Sequence, residues 1–540
     1  MRLLSPLALA AAAALPVLAD GAPDVNWRIR RAAVERSAIL DTLHVLTDVH
    51  GPRLTGSPNL RAAQEWAAAT LRGWGLTARL EPWTFGYPGW TNERLAAHIV
   101  SPVKDALVAE ALAWTPGTNG PVTGEVYHLK VPKRPTQAEL DAFFAGVGDA
   151  VRGRIVLAGD HAFVPVTFYP PALRRDEQEL RAQYDATDPA PPPPVRPRDD
   201  DADAAGSRRL TERQVSAAVD AFLVAHQALA RVNDAGRGHA QIRAFNNRTF
   251  DESRSVPTVV LRNEDYGRIA RLLAGGRPVT LELDIVNRSW PDGRTEHNVI
   301  AEIPGTDLRQ QIVMLGGHLD SWHAATGATD NGIGVAVTME AVRILQAIGV
   351  RPRRTIRLAL WSGEEQGLLG SAAYVKEHFG SAESPGREFA HFAGYVNVDS
   401  GTGRIRGMSV FGPPEAAAVL REVLAPFADL GVVGAAATAS RRRGGSDHTS
   451  FNAAGLPGIG VTQDPIEYRH ATWHTNLDTY ERIVEEDAQR SAIAVAATVY
   501  ALAMRDEMLP RFAAGDLPKP PPPADPEDRP VPVRPPSPTP

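Results

Sequence analysis

Five short stretches in the second half of the chain carry histidine or carboxylate side chains where the chain changes direction. They are Gly316-Gly317-His318-Leu319-Asp320, Gly327-Ala328-Thr329-Asp330-Asn331-Gly332, Ser362-Gly363-Glu364-Glu365, Asn397-Val398-Asp399 and His474-Thr475-Asn476-Leu477-Asp478-Thr479. Oxygen and imidazole donors from separate segments, plus one carboxylate that spans two ions, are what a hydrolytic pair of divalent cations requires. His318, Asp330 and Asp399 can hold one ion. Asp330, Glu365 and His474 can hold the other, with Asp330 giving one oxygen to each. Two cations touching one water lower its pKa enough to yield hydroxide near neutral pH. Neighbouring side chains on extended chain point to different sides. Glu365 can therefore bind metal while Glu364 faces the water as general base. Asp320 follows His318 by two residues, on the same side of an extended chain. It is expected to accept the second imidazole N–H and fix the tautomer, and Asp478 is expected to do the same for His474.

The elements that must position these residues alternate. Ile312–Leu315 is a continuous apolar run of the kind found in a strand buried on both faces. Thr355–Trp361, Tyr395–Asp399 and Gly458–Val461 are further strands. Helices are expected over Gly332–Ala347, Gly367–Phe379, Pro414–Ala428 and Asp487–Met504. This alternation predicts an α/β domain with a mixed, largely parallel central sheet flanked by helices. Ligands collect at the carboxyl ends of such strands.

The region 100–286 reads differently, with short strands (Val122–Leu129, Arg154–Ala158, Thr258–Leu261, Val279–Leu283) among many turn residues. It is expected to be a β-rich insert between residues 20–99 and 287–513 of the catalytic domain. Helices over Pro23–His50 and Asn59–Trp74 are expected to pack on that domain. Residues 188–207 are Pro-rich and then acidic, and the tail 514–540 is dominated by proline; neither can bury a core. Residues 1–19 combine Arg2, an apolar run and Val17-Leu18-Ala19, the pattern of a cleaved export signal. The expected location is therefore periplasmic or secreted. The 540 residues carry a net charge of −6 and no cysteine. The charge argues against a nucleic-acid partner. The missing cysteine excludes disulfides, thiolate metal sites and a thiol nucleophile. No later run is long enough for membrane insertion.

The motifs GGHLDSW (316–322), ATDNGIG (328–334), EEQGLLGS (364–371), NVDS (397–400), SDHTSF (446–451) and HTNLDT (474–479) occur in one order. Together they resemble peptidase family M28, the zinc-dependent exopeptidases with a co-catalytic dizinc core. The resemblance implies a zinc-exopeptidase, phosphorylase/hydrolase-like fold and two Zn2+ ions per chain. It implies His318, Asp330, Glu365, Asp399 and His474 as ligands, Glu364 as base, and a cis peptide after Asp330. It implies a peptide substrate, with aminopeptidase activity favoured over carboxypeptidase or dipeptidase activity. The insert resembles a protease-associated (PA) domain through Ala113–Thr118 and Val151–Leu157. The subgroup resembled is that of secreted bacterial enzymes similar to plasma glutamate carboxypeptidase.

Some family aminopeptidases place an oxyanion-steadying tyrosine before the Ser-Asp-His segment. Here Arg441-Arg442-Arg443-Gly444-Gly445 stands there instead. Arg443 can steady developing negative charge or grip a substrate carboxylate. His448 can donate to the oxyanion or order the loop. Tyr468, Trp322 and Trp473 are pocket-wall candidates, and His470 is a rival to His474. Two other classes are a single-zinc glutaminyl cyclase-like acyltransferase and a non-catalytic PA-domain receptor or scaffold. The sequence does not fix an oligomeric state.

Overall fold

The computed structural model describes residues 24–184 and 209–520. The export signal, the Pro-rich loop 188–207 and most of the tail lie outside the described residues. Eight strands build the central sheet: β1 (Thr77–Thr84), β2 (Thr295–Ile303), β3 (Leu308–His318), β4 (Arg354–Trp361), β5 (Phe392–Asn397), β6 (Ile405–Phe411), β7 (Gly434–Thr438) and β8 (Gly458–Gln463). Their order across the sheet is β1-β2-β4-β3-β5-β8-β6-β7. The middle of the sheet is parallel, since β3 pairs parallel with β4 and β5, and β5 with β8. The β1, β2 side pairs antiparallel, as does β6 with β8. The sheet is mixed, as expected.

Side-chain alternation assigns the two faces. Val313, Leu315, Leu358 and Leu360 enter one buried cluster, whereas Met314, Ala359 and Trp361 enter another. Over the first face lie α1 (Val25–Glu35), α2 (Ile39–His44), α3 (Pro58–Gly73), α4 (Ile333–Ala347), α6 (Pro414–Leu424) and α8 (Glu485–Met504). Helix α4 is apolar nearly all round and buried along almost its whole length, the pattern of a core helix. Small side chains on α8 (Ala488, Ala492, Ala496, Ala503) let it come close to α4. Over the second face lie α5 (Leu369–His378) and α7 (His448–Ala453), packing Phe379 and Phe451 against Phe392 and Tyr395. Each such side chain, fully buried, contributes about 1.5–3 kcal/mol.

A second eight-stranded sheet with its own buried cluster spans Gly89 to Trp290, wider than the interval 100–286 expected. The strands Gly89–Ser101 and Thr280–Trp290 pair antiparallel over their whole length, carrying the chain in and out. Polar runs, Thr91–Arg94 in the first and Asn287–Ser289 in the second, break the apolar pattern of both and hid their full extent. The expected helix over 23–50 is also interrupted: α1 ends at Glu35 and α2 starts at Ile39. Among the described residues no helix is long and apolar enough to cross a membrane.

Loop 464–479 of the first sheet's domain is held by connecting segments of the second region. Leu173 O accepts from Ile466 N at 2.9 Å. Arg174 donates to Asp464 Oδ2 at 3.1 Å and pairs with Asp487. Ile242 and Asn476 exchange two hydrogen bonds, Ile242 N to Asn476 Oδ1 at 2.8 Å and Asn476 N to Ile242 O at 3.0 Å. Arg243 Nε donates to Trp473 O at 3.2 Å.

Candidate metal centre

The parallel strands β3, β4 and β5 end side by side, and the site forms just beyond them. His318 is the last residue of β3, Glu364 and Glu365 follow β4, and Asp399 lies two residues past β5. Asp330 lies in the turn before α4, where the Asp330–Asn331 peptide is cis, as the family resemblance implied. Glycines bring these strand ends together. A Cβ at Gly316 would sit 1.9 Å from Ala359 O, and one at Gly317 would sit 2.8 Å from Val398 O. His474 comes from the long loop and has φ +61°, the left-handed region that non-glycine residues rarely occupy.

Asp330 is the shared member of two groups. Its Oδ1 lies 3.2 Å from His318 Nε2, and His318 Nε2 lies 3.4 Å from Asp399 Oδ1. Its Oδ2 lies 3.1 Å from His474 Nε2, which lies 3.0 Å from Glu365 Oε2. Two ligands of one tetrahedral zinc with bonds of 2.0–2.1 Å sit about 3.3 Å apart. The observed separations fit that spacing. Asp330 Oδ2 and Glu365 Oε1 are buried yet accept no hydrogen bond. His318, Asp330 and Glu365 offer ligand atoms within 4.8 Å of one another.

The charge balance also fits a cation. Burial, with Asp399, Glu365 and Asp447 close by, pushes the Glu364 carboxyl well above the usual carboxylate range. Burial likewise raises Glu365 and Asp447, each to about 7. The same carboxylates push the His474 imidazole up to about 10 and that of His318 well above its usual range, so the cluster draws positive charge to itself.

The supporting hydrogen bonds differ from expectation in two places. His318 Nδ1 meets the main-chain oxygen of Asp320 at 2.9 Å. The Asp320 carboxylate instead accepts Thr55 Oγ1 at 3.1 Å, Glu364 N at 3.3 Å and Glu365 N at 3.2 Å. The chain turns after His318, so the alternation that would put residues 318 and 320 on one side no longer applies. Asp320 therefore holds the imidazole through its main-chain oxygen and the two glutamates through its carboxylate, whose Oδ1 lies 3.7 Å from His318 Nδ1. Asp478 does not reach His474 Nδ1, which has no partner among the described residues. Asp478 accepts Thr329 N at 2.5 Å and Asp330 N at 3.0 Å, holding the turn that carries Asp330. Ser446, whose role the sequence did not reveal, donates to Asp399 Oδ2 at 2.5 Å.

A cleft of about 530 Å³ opens onto the cluster, lined by Asp330, Glu364, Glu365, Asp399 and His474 together with Arg443, Tyr468, Arg469 and Trp473. Burial, with Asp330 and Asp399 nearby, raises the Tyr468 hydroxyl well above 10, so it stays protonated. Neither Arg443 nor Arg469 has a carboxylate partner among the described residues; Arg469 stacks 5.1 Å from the Trp473 ring centre. His448 is turned away, its Nε2 2.7 Å from where a Cβ on Gly460 would sit. Burial holds its pKa down to about 4, so it is neutral. The start of α7 packs the ring beside strand β8, and His448 is not among the residues lining the cleft. His470 is not among the lining residues. His323 bonds Ala111 O at 2.7 Å and ties the two sheets. Trp322 packs against Phe245 and the His474 ring.

Comparison with known proteins agrees with this geometry. Residues 298–499 match the model of peptidase family M28. Carboxypeptidase Q of Mus musculus is 27% identical over 473 residues, covering 87% of each chain. The crystal structure of a peptidase M28 precursor from Shewanella amazonensis superposes with a TM-score of 0.64 at 24% identity, covering 91% of this chain and 98% of that one. BSAP, a zinc aminopeptidase from Bacillus subtilis, gives 0.55 at 19%, covering 89% and 98%. The segment holding His318, Asp330, Glu364, Glu365, Asp399 and His474 is therefore the part of the chain that matches peptidase family M28, and the enzyme is a zinc-dependent metallopeptidase.

Proposed function

We propose that the chain is an exported dizinc exopeptidase that hydrolyses the terminal bond of short peptides. The observation that carries this reading is the Asp330 carboxylate, whose two oxygens face two different imidazole–carboxylate pairs. His318, Asp330 and Asp399 would hold one ion, and Asp330, Glu365 and His474 the other. When bound, such ions supply Lewis acidity and a water that ionises near neutral pH. Glu364 lines the cleft beside these ligands, where it would serve as general base toward the attacking water and then as acid toward the leaving amine. Asp320 keeps Glu364 and Glu365 in place through their main-chain N–H groups. The Tyr468 hydroxyl donates to the carbonyl oxygen as negative charge builds on it. The leader over residues 1–19 supports export. The region 100–286 is read as a PA-like insert that backs the His474 loop.

Aminopeptidase polarity is the first reading. Arg443 and Arg469 favour a second, in which the carboxylate end of a short peptide lies in the cleft as in a carboxypeptidase or dipeptidase. A guanidinium fork suits a carboxylate. The test is metal content by mass spectrometry, together with a peptide-library digest with and without chelator. Two zinc ions per chain and chelator-sensitive loss of terminal residues are expected. One zinc per chain with cyclisation of N-terminal glutamine, or no metal-dependent cleavage, would overturn the reading.

A further inference from the structure

The side chain of Arg53 lies outside the segment that matches the family, yet it is fully buried beneath the metal centre. It belongs to the loop between α2 and α3. Its Nε donates to Leu319 O at 2.7 Å. Its Nη1 donates to Leu46 O at 2.9 Å, Gly51 O at 3.1 Å and Thr326 O at 2.8 Å. Its Nη2 donates to Gly327 O at 2.9 Å. The main chain joins in, since Arg53 N donates to Ser321 Oγ and Ser321 N to Arg53 O, both at 3.1 Å. One planar group thus bridges the turn just after His318 and the turn just before Asp330.

Its partners distinguish it from a core ion pair. Arg406 is also buried, and it pairs directly with the Asp464 carboxylate at 3.0 Å. Arg53 donates only to main-chain carbonyls among the described residues. Burial draws its pKa down to about 10, while Asp478, Asp320 and Asp330 counter with negative charge. It remains cationic at neutral pH. The three carboxylates that steady it are the shared ligand Asp330 and the two residues that position the ligand-bearing turns. The guanidinium also lies against the turn itself: a Cβ on Gly332 would stand 3.6 Å from Nη2.

We propose that Arg53 is the positioning residue of the metal centre. Its fork sets the distance between the His318 turn and the Asp330 turn, and its charge offsets the crowded carboxylates before a cation arrives. The proposal rests on the metal reading above. A lysine in its place would keep the charge but could not span both turns, because an ammonium lacks the planar fork.

Arg53→Lys and Arg53→Gln are compared with the wild-type chain after stripping with chelator. Folding is checked by circular dichroism, and zinc is titrated against a chromogenic chelator. Zinc affinity should fall about 10- to 100-fold in both variants, the range for lost outer-shell support. kcat should fall with KM unchanged. Lysine should restore the melting temperature of the zinc-free protein in part and zinc affinity hardly at all. If the glutamine variant does not fold, the lysine variant decides. A folded Arg53→Lys protein with wild-type zinc affinity and kcat would overturn the role of Arg53 alone. A wild-type chain that takes up no zinc would overturn the metal reading, and the Arg53 role with it.

Discussion

The carboxylate of Asp478 holds the main-chain N–H of Asp330 at 3.0 Å, from a loop almost 150 positions further along the chain. Asp478 also accepts the N–H of Thr329, so it fixes the turn from both sides of the peptide that precedes Asp330. Asp478→Ala should therefore weaken zinc binding about 10- to 100-fold, although Asp478 is no ligand. Equilibrium dialysis against radioactive zinc measures this. Unchanged affinity would show that the turn holds its own shape.

Glu364→Gln retains the size of the side chain and removes its basicity. Zinc content should stay at the wild-type level while kcat falls about 10²- to 10⁴-fold, the range for a lost general base. A variant with wild-type turnover would place the base elsewhere.

Tyr468→Phe removes one hydroxyl from the wall of the cleft. Loss of a single oxyanion donor costs about 10²- to 10³-fold in kcat. Zinc content and KM should barely move. A large rise in KM with kcat intact would make Tyr468 a substrate-binding wall instead.

Arg443→Gln and Arg469→Gln test the carboxylate grip. With matched peptides ending in a free carboxylate or an amide, KM for the acid form should rise about 10- to 100-fold, since a hydrogen bond to a charged group is worth about 1.5–3 kcal/mol. The amide form should be unaffected. Equal effects on both forms would remove the proposed contact.

Glu296 gives a test of stability away from the chemistry. Its carboxylate accepts Gly56 N at 2.7 Å, Gln64 Nε2 at 2.6 Å and His297 N at 2.8 Å. Burial nevertheless raises its pKa to about 7. A carboxyl raised above its unfolded value binds its proton more tightly in the folded state. That stabilisation is complete below pH 4.5 and is lost as the pH climbs towards 7. The difference is about 3 kcal/mol. Relative to wild type, Glu296→Gln should gain about that much between pH 4.5 and 7 in urea unfolding. A constant difference across this range would mean that Glu296 titrates normally.

Much of this was visible in the sequence because strand ends announce themselves. The runs before His318 and Glu364 are apolar on both faces, and the carboxylates begin where the apolar pattern stops. Strand β7, with the sequence Gly434-Ala435-Ala436-Ala437-Thr438, has no such signature and is held by its pairing with β6. Asp320 and Asp478 were legible as supporting residues but not in their actual roles. Which atom each one grips depends on how a turn closes, and spacing along the chain does not encode that. Arg53 and Thr55 were not legible at all. Nothing in an isolated arginine tells which distant carbonyls will surround it.

The fastening of loop 464–479 to the connecting segments of the second region reaches further than architecture. His474 is presented by a segment whose main chain is tied to Ile242 and Leu173 and to the side chain of Arg243. Any coupling between holding an ion at His474 and seating this loop therefore acts equally in both directions. An ion gripped by His474 would also clamp the second region against the first.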